Sequence, residues 1–180
     1  MSQSTIGIRA RLLALSLVLV ARAASPAAAQ MILGSPGDPP RVALGAGVFD
    51  ITPGHGNHSR TAAEVRGEYR FGDVAWIIAP FVGLSGTTDG AFYGYGGFGF
   101  DVNLAPSLVL TPNVAGGYFA RGSGTNLGSW WEFRSGAELA WRLANQSRLG
   151  VAVHHISNGG LAKHNPGAQS IVLIYSIPMR

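Results

Sequence analysis

Residues 59–71 read SRTAAEVRGEYRF, and their alternation decides the fold. Thr61, Ala63, Val65, Gly67, Tyr69 and Phe71 share one parity; Arg60, Ala62, Glu64, Arg66, Glu68 and Arg70 share the other. Successive side chains of an extended chain point to opposite faces. One face is therefore apolar and aromatic, and the other carries five charges of mixed sign. The pattern returns over 129–143, with Trp131, Phe133, Ala137, Leu139, Trp141 and Leu143 on one side and Glu132, Arg134, Glu138 and Arg142 on the other.

A soluble β-sandwich also alternates, but it packs its apolar face inside and turns its charges to water. A membrane barrel inverts this, with lipid outside and a small lumen of paired ions inside. Strand length chooses between them. These segments run to about a dozen residues, whereas soluble strands usually have five or six and tilted bilayer-crossing strands need nine to eleven. The expected fold is all-β: an eight-stranded antiparallel transmembrane barrel of the outer membrane. Its strands are expected at about 41–49, 59–71, 75–86, 90–103, 107–120, 129–143, 147–157 and 168–178. Tight connections are expected at 72–73, 104–106 and 144–146, and longer ones at 50–58, 121–128 and 158–167, with 87–89 a short exception. That is the arrangement of periplasmic turns and outer loops. Eight strands leave an interior that side chains fill, so a pore is not expected.

Working outward, residues 1–29 are expected to be a cleaved signal peptide, and 30–180 the barrel domain. Arg9 and Arg11 precede an apolar run from Leu12 to Ala21, and Ala27, Ala28 and Ala29 supply small residues at a cleavage point. That run is too short to span a bilayer as a helix. Without Arg9, Arg11 and Arg22, ten basic residues face nine acidic ones. Nucleic acid is then not an expected partner. There is no cysteine, so disulfides hold nothing together; inter-strand hydrogen bonds of a closed barrel can.

The chemistry concentrates in 147–180, SRLGVAVHHISNGGLAKHNPGAQSIVLIYSIPMR. Leu149, Val151, Val153, His155 and Ser157 share a parity whose three aliphatic members mark the lipid face. His155 and Ser157 then point outward, with Cβ atoms about 6 to 7 Å apart from the strand rise. They stand where a strand enters a long outer loop. Serine is a poor nucleophile until an imidazole takes its proton, and such a pair at the height of the outer leaflet meets ester-bearing lipid.

The run His155-Ile156-Ser157-Asn158-Gly159-Gly160-Leu161, followed by Asn165 and Gly167, resembles the H-x-S-N-[AG]-G motif of the lipid A 3-O-deacylases. These belong with the acyloxyacyl-hydrolase-like outer-membrane proteins. The resemblance is close over 150–178 and elsewhere covers architecture alone. It implies a carboxylic ester hydrolase that cleaves the 3-position acyl ester of lipid A in the outer leaflet and releases a 3-hydroxy fatty acid. It implies Ser157 as nucleophile and His155 as general base, with Asn158 and the backbone of Gly159 or Gly160 stabilising the oxyanion, and Asn165 in support. The family completes its triad with a Glu, and the matching position here is Gln169. No Asp or Glu follows Glu138. Gln169 shares the outward parity of Ile171, Leu173 and Tyr175, so its amide can orient the imidazole but cannot stabilise an imidazolium by charge. A slow dyad enzyme, an acid supplied by an outer loop, and a barrel that has lost catalysis all stay open. Lipid A, lipopolysaccharide and other outer-membrane lipids are the expected partners, a homodimer is compatible with the chain, and no cofactor or metal is expected.

Other features read more plainly. His154 has the opposite parity to His155, so the pair cannot chelate one metal; His154 is expected to face the lumen as a structural residue. His55 and His58 read as loop polarity rather than a metal site. Trp130, Trp131 and Trp141 suit interfacial girdles. Gly94, Gly96, Gly97 and Gly99 are followed by no helix, so they are not a phosphate loop; tight barrel curvature is the expected reason for them. The alternative to the esterase is a non-catalytic eight-stranded barrel with a structural or adhesive role, and a soluble periplasmic β-sandwich is a third reading.

Overall fold

The structure, a computed structural model, describes residues 32–35, 37–51, 60–72, 74 and 77–179. The expected signal segment, 1–29, lies outside these residues, as do His55 and His58. The described residues form β1 (Ile32–Leu33), β2 (Arg41–Phe49), β3 (Ala62–Arg70), β4 (Ile78–Thr87), β5 (Phe92–Phe100), β6 (Val102–Ala105), β7 (Leu108–Ala120), β8 (Trp131–Arg142), β9 (Arg148–Ser157) and β10 (Ala168–Pro178). Among them no helix is long and apolar enough to cross a membrane.

The sheet closes on itself. Its order is β7-β5-β4-β3-β2-β10-β9-β8, and β8 pairs back onto β7. All of these pairings are antiparallel. The short β6 carries β5 on beyond Asp101 and pairs with the same neighbour, β7, while β1 adds to the far side of β6. The result is the closed eight-stranded antiparallel barrel that the alternation predicts. Closure pairs each of the eight long strands on both sides, which is what hydrocarbon demands of a backbone.

The faces are inverted relative to a soluble protein. In β3, Glu64 is 2% exposed and its neighbour Val65 is 66% exposed. The lumen is a web of ions. Glu68 accepts from Arg70 at 2.8 Å, from Arg134 at 3.1 Å and from the Tyr95 hydroxyl at 2.9 Å. Arg70 also reaches Glu138 at 2.7 Å, and Arg66 bonds Glu64 at 2.6 Å. The Arg134 guanidinium stacks over the Tyr95 ring, 4.2 Å from its centroid, a favourable cation–π placement. Towards the end where the short turns lie, Arg148 pairs with Asp101 at 2.7 Å and also with Asp38, which Arg41 reaches at 3.2 Å. Outside, Tyr118, Trp130 and Trp131 lie by the outer ends of β7 and β8, and Trp141 lies at the opposite end of β8. These are the two aromatic girdles of a bilayer-spanning barrel.

Two local expectations are corrected. β4 begins at Ile78 rather than 75, because the Val74 amide bonds back to the Ile78 carbonyl and makes the turn wider than 72–73. The strand expected over 90–103 is interrupted at Asp101, whose carboxylate is taken by Arg148, Thr111 and Ser35. The glycines of β5 also divide. A Cβ on inward Gly97 would lie 2.2 Å from the Val114 carbonyl oxygen, so close backbone approach requires glycine there, whereas Gly96 has nothing nearer than 3.8 Å.

Candidate active site

β9 and β10 build the site by register. The antiparallel ladder sets His155 directly opposite Gln169, and β8 sets Ser135 opposite His155 and Phe133 opposite Ser157. Alternation along β9 leaves Val151, Val153 and His155 exposed on the outer wall, while Ala152, His154 and Ile156 are buried inside. Ser157, the last residue of β9, keeps the outward parity and is half-buried. The His155 Nδ1 and the Gln169 amide nitrogen are 3.2 Å apart. An amide presents oxygen and nitrogen at nearly equal positions. Turned with its oxygen to Nδ1, Gln169 accepts a hydrogen bond from Nδ1–H, and Nε2 is then the unprotonated nitrogen, free to act as a base. Among the described residues no hydrogen bond joins Ser157 to His155; such bonds commonly tighten only on the bound substrate.

The Asn-Gly-Gly sequence makes a turn with a defined purpose. The Leu161 amide donates to the Asn158 carbonyl at 3.1 Å, and Gly159 and Gly160 have φ of 63° and 87°. Two consecutive positive φ values are the signature of a type I′ turn, which glycine adopts at least cost. Asn158 is fully buried beneath it. Its Nδ2 donates to the carbonyls of Leu127 at 2.9 Å and His164 at 2.8 Å, and its Oδ1 accepts from the Gly160 amide at 2.9 Å. Its own backbone amide donates to Asn165 Oδ1 at 3.1 Å. Asn158, Asn165 and Gly160 thus hold the loop together, and the amide hydrogens of the Asn158 side chain are both engaged. Of the backbone donors expected for an oxyanion, the Gly159 amide has no intramolecular partner among the described residues.

Two contacts complete the pocket. Gly167, with φ of 66°, lies against the imidazole: a Cβ there would come within 2.6 Å of His155 Cε1. The Phe133 ring lies under Gly159, 3.1 Å from where its Cβ would be. Phe133 was legible only as a lipid-facing aromatic, because its place depends on the β8–β9 register. The Ile51 amide bonds the Gln169 carbonyl at 3.1 Å, which brings the neighbouring Asp50 to this end of β10. The Asp50 side chain is buried and accepts from the Thr125 hydroxyl at 2.7 Å. On the inner side, His154 is buried and its Nδ1 is 3.0 Å from Arg66, the lumen placement that its parity predicts. No group of three His, Cys, Asp or Glu residues suited to a metal occurs among the described residues.

A family model described as lipid A 3-O-deacylase (PagL) matches residues 61–178. The chain belongs to this family. Among solved structures, the PagL-family barrel is similar to the crystal structure of the outer membrane enzyme PagL, with a TM-score of 0.59 at 19% identity, covering 77% of this chain and 99% of that one. It is also similar to a de novo designed transmembrane β-barrel, with a TM-score of 0.52 at 17% identity, covering 82% and 100%. Comparison with curated proteins gives no sequence match. Family and fold together make this PagL-family chain an outer-membrane barrel.

Proposed function

We propose that this barrel is a serine esterase that hydrolyses the 3-position acyl ester of lipid A and releases a 3-hydroxy fatty acid. The observation that carries the reading is the outward row His155, Ser157 and Gln169 at the lipid-facing rim of a lipid A 3-O-deacylase-family barrel. In this reading residues 1–29 direct export and are removed.

Ser157 Oγ attacks the ester carbonyl carbon as its proton passes to His155 Nε2. The carbonyl oxygen becomes an oxyanion beside the Gly159 amide, a preorganised donor worth about 3 to 4 kcal/mol in such sites. Collapse breaks the bond to the sugar oxygen, which takes the proton from His155. Water, deprotonated by the same imidazole, then attacks the acyl-serine and frees the fatty acid. Gln169 holds the Nδ1 proton in place throughout. It carries no charge to offset the imidazolium, so the enzyme runs slowly as a dyad. The buried Asp50 carboxylate is directed to the Thr125 hydroxyl.

Refolded protein incubated with lipopolysaccharide should release 3-hydroxy fatty acid, read by mass spectrometry. Ser157→Ala should reduce release to background while leaving the heat-modifiable gel mobility of the folded barrel intact. A folded wild type that releases nothing would favour a non-catalytic barrel.

A further inference from the structure

The outer wall is apolar except in one place. Among the described residues, and girdle tyrosines and tryptophans aside, the polar outward side chains of the eight long strands are Ser135, His155, Ser157 and Gln169. They are neighbours. The ladders set Ser135 of β8 directly opposite His155, and His155 directly opposite Gln169. Three adjacent strands thus carry one polar row across the lipid face, with Ser157 two residues along β9 and nearer the rim.

Packing does not call for Ser135. Its outward neighbours along β8 are Phe133 and Ala137, and it is exposed. Among the described residues no protein group hydrogen-bonds its hydroxyl. A hydroxyl turned to hydrocarbon without a partner is destabilising, and alanine would avoid that penalty. Directly opposed residues have Cβ atoms about 4.5 to 5.5 Å apart, closer than the roughly 6 to 7 Å between His155 and Ser157 along the strand. One water can therefore bridge the hydroxyl and the imidazole.

The second half of ester hydrolysis needs what this face is poor in. With the acyl group on Ser157, a water must stand beside His155 Nε2 on a wall that includes Phe98, Val114 and Phe133. A water is held by two or more polar partners. Gln169 is engaged with His155 Nδ1 at 3.2 Å, and Ser157 Oγ is then esterified. Ser135 is the outward polar group that remains, and it lines the same hollow as His155 and Ser157.

We infer that Ser135 positions the water that hydrolyses the acyl-serine. The inference rests on Ser157 as the acyl acceptor. The water is hydrogen-bonded to the Ser135 hydroxyl and to Nε2. Its oxygen bonds to the acyl carbon as one proton passes to Nε2. The bond from that carbon to Ser157 Oγ then breaks, Oγ takes the proton from Nε2, and the fatty acid leaves. Ser135 forms no covalent bond. It aids departure of the acyl group and not its arrival, because the first half-reaction uses no water.

The two halves can be timed separately. Intact-protein mass spectrometry of refolded barrel mixed with lipopolysaccharide follows arrival of the acyl group on Ser157; its loss after substrate is removed follows departure. Ser135→Ala should slow departure about tenfold, the effect of one lost hydrogen bond, and change arrival less than twofold. Ser135→Thr keeps the hydroxyl and should depart at close to the wild-type rate. Hydroxylamine, which attacks esters without a positioned water, should strip the acyl group from Ser135→Ala and wild type equally fast. Departure at the wild-type rate in folded Ser135→Ala, or equal slowing of both halves, would overturn the water site and spare the esterase. A folded wild type whose Ser157 never gains acyl mass would overturn the esterase reading and Ser135 with it. Heat-modifiable gel mobility confirms that each variant folds.

Discussion

His154 and His155 are adjacent in sequence and belong to opposite chemistries. The first is 4% exposed in a lumen crowded with guanidinium and carboxylate groups, 3.0 Å from Arg66. The second lies on the lipid face with a neutral amide 3.2 Å away. The inner face puts many redundant charge contacts into holding the wall in shape. The outer face has a few uncharged contacts and one aromatic ring, Phe133, arranged around a serine. One residue of strand register separates the two settings. Parity thus divides the ion-paired lumen from the proposed site on the outer wall, so each should tolerate changes that leave the other intact.

The sharpest way to test that division is to add charge to the face that lacks it. Gln169→Glu should raise the rate of fatty-acid release by up to about 10⁴, the factor that the reverse change costs in serine proteases. Single-turnover kinetics would measure it, and unfolding of the barrel in urea should barely change. A faster enzyme would mean that the outer site is intact but electrostatically short of its acid. Next in size is removal of a hub from the inner face. Glu68→Ala leaves Arg70 and Arg134 each without one carboxylate, and loss of one partner of a buried ion pair costs about 3–5 kcal/mol. Urea unfolding in detergent should register this with the release rate unchanged in what remains folded. The smallest effect expected is that of His154→Ala. Arg66 retains Glu64 at 2.6 Å, so the loss should be about 1 kcal/mol, with activity within a few-fold of wild type. A collapse of activity in His154→Ala would break the separation of the two faces.

Much of this was legible because a barrel writes its architecture with period two. The inverted charges at Glu64, Arg66 and Glu68 and the length of each alternating run carry the fold without reference to any partner strand. The outward parity of His155, Ser157 and Gln169 is equally local, and the structure places all three on that face. What was not legible depends on residues far apart in the chain. The break at Asp101 arises from Arg148, on another strand. The use of Asn158 to bind Leu127 and His164 depends on where a separate outer loop lies, and nothing in an Asn-Gly-Gly sequence announces it. The glycines of β5 looked alike in sequence; only their neighbours on β7 distinguish Gly97, pressed against a carbonyl, from Gly96, which faces open space.

The inner void between Arg70, Glu138 and Arg148 amounts to about 50 Å³, room for a water or two. Paired charges such as Glu68 and Arg134, together with buried aromatic residues such as Phe81, Tyr93 and Phe119, fill the rest. Among the described residues the filled interior leaves no water-wide path from one end of the barrel to the other, so the wall can span a membrane without acting as a pore.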